Sequence, residues 1–136
     1  MAQNKFPYVA RGNQRYFPLM SQIFNIDSGS SSHVYDVLGN FPFDVYVISA
    51  YPIYTEATDT TGAASANWSL GIAAGGTTIV AATALEAAKS IGDKGTAGTV
   101  VAALLPAGST LVATHNGIAT TEAGQYRLQV LVLAKP

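Results

Sequence analysis

Residues 43–54 read FDVYVISAYPIY, and the fold turns on how this stretch is read. It is rich in β-branched and aromatic residues and has no charge after Asp44, which fits a central β-strand. One face of such a strand carries Val45, Val47, Ser49, Tyr51 and Ile53, and the other carries Tyr46, Ile48, Ala50 and Tyr54. A strand with one wet face alternates apolar and polar residues. Here both faces are mostly apolar, so the strand is expected to be covered on both sides. In a small β protein the second cover is often another subunit, which points to an assembly protein.

Composition agrees with this. The chain has 136 residues, enough for one domain with a real core. Charged residues make up 11% of it and hydrophobic ones 49%, against roughly 25% charged in an ordinary soluble domain. The formal net charge of −1 gives no bulk attraction to nucleic acid or to acidic membranes. The charges are segregated. Residues 1–22 hold Lys5, Arg11 and Arg15 and no acid, whereas residues 23–59 hold Asp27, Asp36, Asp44, Glu56 and Asp59 and no Lys or Arg. A basic segment followed by an acidic one could dock on the next copy or on an acidic scaffold, the alternative being a solvated tail. With no cysteine, disulfides and thiolate metal sites are excluded. The first residues lack a secretory apolar core, and the longest apolar runs, such as 130–134, are too short to span a bilayer. The expectation is a soluble product made in a cytoplasm.

Along the chain, residues 1–18 read as an extended amino-terminal arm, with Phe6 and Tyr8 flanking Pro7 and Tyr16 and Phe17 preceding Pro18. Residues 19–136 read as a single β domain. Strands are expected at 19–26, 32–38, 43–54, 67–72, 78–82, 99–105, 110–115, 118–121 and 125–134. Turns are marked by Asp27-Ser28-Gly29-Ser30, Gly39-Asn40, Gly75-Gly76 and Asn116-Gly117. Pro52 suggests a bulge, an edge or a strand end. In the last strand Tyr126, Leu128, Val130 and Val132 face inward; Leu131 and Leu133 interrupt the outward face. Residues 83–90 (TALEAAKS) predict one short helix, with Thr83 and Glu86 spaced as a capping box. The class is all-β: a jelly-roll-like β-sandwich or barrel of about eight strands.

No motif here carries catalysis. His33 and His115 are far apart and have no metal-ligand spacing. Ser49, His33 and Asp36 could be assembled into a triad on paper, without a nucleophile elbow to support it. Asp44, Glu56 and Asp59 are unpaired candidates for glycoside chemistry. Residues 74–78 are Gly-rich but lack the Lys of a phosphate loop, and a hairpin turn explains them better. Trp68 with Tyr51 and Tyr54 could stack on a sugar ring, but Trp68 alternates with Leu70 and Ile72 and reads as core. The expectation is a protein that is not an enzyme and has no cofactor and no metal site.

The order of these segments resembles a known family. The central strand is followed by Trp68-Ser69-Leu70-Gly71-Ile72, Gly75-Gly76-Thr77-Thr78-Ile79-Val80-Ala81, an Ala-rich piece, Leu105-Pro106-Ala107-Gly108-Ser109-Thr110-Leu111 and Glu122-Ala123-Gly124-Gln125-Tyr126-Arg127-Leu128-Gln129-Val130. Over about residues 43–134 this is similar in order and flavour to tailed-bacteriophage capsid cement (head decoration) proteins of the jelly-roll kind. The resemblance implies a virion protein on the outer capsid surface, often a homotrimer on local threefold axes, with the major capsid protein and itself as partners and neither nucleic acid nor membrane. It also implies an arm that reaches neighbouring subunits, here through Lys5, Phe6, Tyr8, Arg11, Arg15 and Tyr16. The second apolar strand faces, with Tyr46, Ile48, Tyr54, Leu131 and Leu133, are the expected self-association surface. The alternatives are a glycan- or receptor-binding module of a fibre or spike, a tail or neck component and, least favoured, a small hydrolase.

Overall fold

In the computed structural model the described residues are 15–26, 33–59, 66–116 and 123–135. They form nine strands: β1 (Arg15–Met20), β2 (Phe24–Asn25), β3 (His33–Asn40), β4 (Asp44–Glu56), β5 (Asn67–Gly71), β6 (Val80–Ala84), β7 (Leu104–Leu105), β8 (Thr110–Asn116) and β9 (Gln125–Lys135). One sheet has the order β1-β9-β4-β7, with β2 continuing β1 along β9, and the other has the order β3-β8-β5-β6. All pairs are antiparallel. Leaving aside the two-residue β2, the pairings nest. First pairs with last (β1·β9), then β3 with β8, β4 with β7 and β5 with β6. A long antiparallel hairpin rolled up in this way is a jelly roll, here opened into two packed sheets. The expected sandwich is what forms. The strand expected at 118–121 lies outside the described residues.

The core lies between the sheets. Its largest fully buried side chains include Trp68, Tyr54, Tyr126, Phe24, Ile26, Leu70 and Leu128. Each such side chain contributes about 1.5–3 kcal/mol by leaving water. On β9 the alternation is regular, and Tyr126, Leu128, Val130 and Val132 all point inward.

β4 departs from the simple alternation. Its register against β9 shifts between Val47 and Ser49, so Ile48 is an extra residue opposite a continuous partner. The bulge changes the phase of the strand. Val45 and Val47 point inward before it; Ala50, Pro52 and Tyr54 point inward after it. Ser49, Tyr51 and Ile53 are thereby moved onto the outer face with Tyr46. Pro52 is accommodated because its carbonyl accepts from the Gly95 amide. Its missing N–H therefore faces a loop and not β9, as an edge position requires.

That loop, residues 89–103, closes one side of the sandwich. Its backbone bonds to β4 through Tyr54, Pro52, Ala50 and Val47, and to the other sheet through Ile79 and Ala81. Only Leu104 and Leu105 of the strand expected at 99–105 pair as β7. The helix expected at 83–90 does not form. Thr83 lies in β6 and its hydroxyl donates to the Ala81 carbonyl, while the Glu86 carboxylate accepts from Thr96 N–H. Leu85 is buried and its amide bonds to the Ala66 carbonyl, and Ala88 takes a left-handed φ of 58°. So short a segment is marginal as a helix, and these tertiary bonds outcompete it.

Candidate interaction surface

The outer face of the β1-β9-β4-β7 sheet presents an apolar surface that runs across all four strands. Strand register lines up Tyr16, Leu133, Tyr46 and Leu104 across all four strands. The next row is Pro18, Leu131 and Ser49, with Ile48 raised by the bulge, and then come Met20, Gln129 and Tyr51. Exposure is 37% at Tyr16, 44% at Ile48, 41% at Leu104 and 49% at Met20. No charged side chain interrupts the first two rows. At the far end Lys94 Nζ sits 4.1 Å from the Tyr51 ring centroid, and Arg127 pairs across from Ile53.

Of the expected self-association residues, Tyr46, Ile48, Leu131 and Leu133 share this face. Tyr54 does not. It is fully buried on the inner face because the bulge at Ile48 reverses the phase, and its hydroxyl accepts from Glu86 N–H at 2.9 Å. Burial pushes its phenol up to about 12. Lys5, Phe6, Tyr8 and Arg11 of the arm lie outside the described residues. Arg15 and Tyr16 belong to β1, so the sheet already includes residues 15–18. Met20 and Leu104 were not singled out as surface residues from sequence. The signal for Leu104 was the doubly apolar run at 99–105. The opposite sheet exposes a smaller patch, Tyr35, Val37 and Ile72. Ile72 had been expected inward, but it follows β5 in the loop to β6.

The acidic segment has an internal role. Asp36 accepts from Gln22 N–H, Asp44 from Ala107 N–H, Asp59 from Ala123 N–H and Asp93 from Ser90 N–H. These carboxylates tie loops to one another, each as a charge-assisted bond to a backbone amide. Burial opposes ionisation of Glu86, but Thr96 N–H and the Lys89 ammonium at 3.2 Å prevail and hold it below the usual carboxylate range. His115 is fully buried, with Nδ1 2.6 Å from Tyr126 Oη and its ring stacked on Phe24. Burial lowers its pKa, so it sits in the core as neutral imidazole. Burial likewise raises the Tyr126 phenol well above its ordinary value, so it stays a neutral hydroxyl; with Nε2 facing the Ile26 carbonyl at 3.4 Å, which can only accept, the proton belongs on Nε2 and the hydroxyl donates to Nδ1. Ser49 lies in one sheet and His33 and Asp36 in the other, so the paper triad is not assembled. Trp68 and Tyr54 are buried, which removes the sugar-stacking platform. Among the described residues no group of three His, Asp or Glu side chains could hold a metal ion.

No family model matches this sequence, and no curated protein matches it. The structure is similar to a chain of the cyanophage Pam1 capsid asymmetric unit. The TM-score is 0.55 at 17% sequence identity, and the match covers 99% of this chain and 94% of that one. At this identity the likeness is one of fold, and it extends over nearly the whole of both chains.

Proposed function

We propose that this chain is a structural protein of a tailed-phage virion that binds the outer surface of the capsid and stabilises it. The observation that carries this reading is the near-complete mutual coverage with a chain of a phage capsid asymmetric unit. Two features of the molecule support it. The charge-free rows of the outer sheet face suit permanent burial against protein. Asp36, Asp44, Asp59, Glu86 and Asp93 are engaged in loop tethers, and the His115 ring is packed in the core.

The partners in this reading are the major capsid protein and further copies of the chain, in a homotrimer. Copies meet through the outer face bearing Tyr46, Ile48, Leu131 and Leu133. Residues before β1, with Lys5, Phe6, Tyr8 and Arg11, contact neighbouring subunits. Many linked weak contacts then give large avidity on a shell. The test is the solution mass of the purified chain by light scattering, followed by co-sedimentation with undecorated heads. A trimer that saturates heads and raises their resistance to heat supports the proposal. A chain that stays in the supernatant at every concentration refutes it.

A further inference from the structure

Beyond its apolar rows, the outer face of the first sheet ends in polar ones. Lys94 bridges to Ile53, and Ile53 pairs with Arg127, so these three residues form a row across the face. The row after it is Glu56, Gln125 and Asn25. Opposed residues of antiparallel strands share a face, and Tyr126, between Gln125 and Arg127, points inward. Glu56 and Arg127 therefore belong to the same outer face, as diagonal neighbours on β4 and β9. A second register shift in β4, with Thr55 as the extra residue, is what puts Glu56 there.

These two side chains stand apart from the other charges. Asp36, Asp44, Asp59, Glu86 and Asp93 each accept from a backbone amide. Lys89 pairs with Glu86, and Lys94 lies over the Tyr51 ring. Of the described charged side chains, Glu56 is the exposed carboxylate with no such bond, and Arg127 is the cation with neither an ion pair nor a ring contact. Arg127 Nε is shut off from solvent and has no hydrogen-bond partner. A charged donor left desolvated and unpaired is unfavourable, and the partner it lacks is an anion.

The chain carries that anion itself. Glu56 and Arg127 are neighbours within one copy, yet they make no ion pair with each other. In a closed symmetric assembly a residue of one copy meets a different residue of the next, so the contact must be complementary to itself. One unengaged acid and one unengaged base at neighbouring positions meet this requirement, in a two-fold pair or around a threefold axis. They are also continuous with the apolar rows that hold Tyr46, Ile48, Leu131 and Leu133.

We propose that Glu56 of one copy pairs with Arg127 of the next where the outer faces meet, and that this pair sets the register between copies. Apolar contact is non-directional and lets two faces slide on one another, whereas a charge pair fixes how they meet. The proposal rests on the reading that copies associate through this face, and it adds the pair that orients them.

The experiment measures mass against concentration by light scattering for the parent chain, Arg127→Glu, Glu56→Arg, an equimolar mixture of these two, and the double variant. Each single variant places like charges at the contact and should raise the concentration needed for association by about tenfold or more. The mixture restores opposite charges between copies and should be heavier than either variant alone at the same total concentration. The double variant should match the parent within about threefold. Glu56 is exposed, so the fold tolerates Glu56→Arg, and circular dichroism of every variant checks this. Single variants that associate like the parent, or a mixture no heavier than its components, overturn the pair. If Ile48→Asp still disperses the copies in that case, the face stands and the charge pair alone falls. A parent chain that is monomeric at every concentration overturns both.

Discussion

Replacing Gly98 with alanine tests the closure of the β7–β6 side directly. A Cβ at this position would lie 2.4 Å from Val80 Cγ1 and 2.6 Å from Trp68 Cη2. Both neighbours are fully buried and packed on all sides, so neither can swing away as a surface side chain could. Overpacking of this kind costs about 1–3 kcal/mol. If residues 89–103 move outward instead, the bond from Gly98 N–H to the Ala50 carbonyl is strained or lost, at about 1 kcal/mol. These are alternative routes and the chain takes the less costly one, so the expected loss is about 1–2 kcal/mol. Trp68 is the sole tryptophan and lies against the substitution, so its fluorescence during urea unfolding is the natural readout. With m at about 2 kcal/mol/M the midpoint should fall by roughly 0.5–1 M with m unchanged. Ala97→Ser, at an exposed neighbour, should leave the midpoint within the scatter of about 0.5 kcal/mol. If Gly98→Ala is as silent as Ala97→Ser, the close approach of the loop to the core is wrong.

Three further outcomes are expected. Tyr126→Phe removes the partner of His115 Nδ1 inside the core and should destabilise the chain by about 1–3 kcal/mol in the same urea assay. The depressed pKa of His115 means that the unfolded chain takes up its proton first, so the stability contributed by the neutral ring is complete above the unfolded value of about 6.5 and declines as pH falls toward the folded value; in His115→Gln the difference between pH 7 and pH 5.5 should shrink, and an unchanged pH profile would show that the ring does not stay neutral. Ile48→Asp, on the outer face, should shift stability by no more than about 0.5 kcal/mol while abolishing self-association in light scattering; retention of the parent mass would exclude this face as the contact between copies.

The sheet class and the inward face of β9 were legible because regular alternation survives from Tyr126 to Val132. β4 was legible as a strand but not in its phase. Nothing in VYVISAY marks Ile48 as the extra residue, and every side chain after it changes sides, which is why Tyr54 was assigned to the surface and lies in the core. Residues 83–90 have helical local preferences, and these lose to bonds with Tyr54, Ala66 and Thr96, partners that local sequence cannot reveal. The acidic run from 23 to 59 looked like a surface for binding because charge is visible in sequence and its partners are not. Those partners include backbone amides as distant as Ala107 and Ala123.

The nested pairing also sets an order of events at the ribosome. Arg15 finds its partner in Ala134, about 120 residues later, and β4 gains its longest pairing only when β9 is made. At roughly 5–20 residues per second the earliest strand waits some 6–24 s for the last one. Throughout that interval the apolar inner edges of β1 and β4 lack β9, and contacts so distant along the chain form slowly once it arrives. The same architecture that lets β9 lock both neighbours at once leaves the nascent chain most vulnerable to aggregation until β9 has been made.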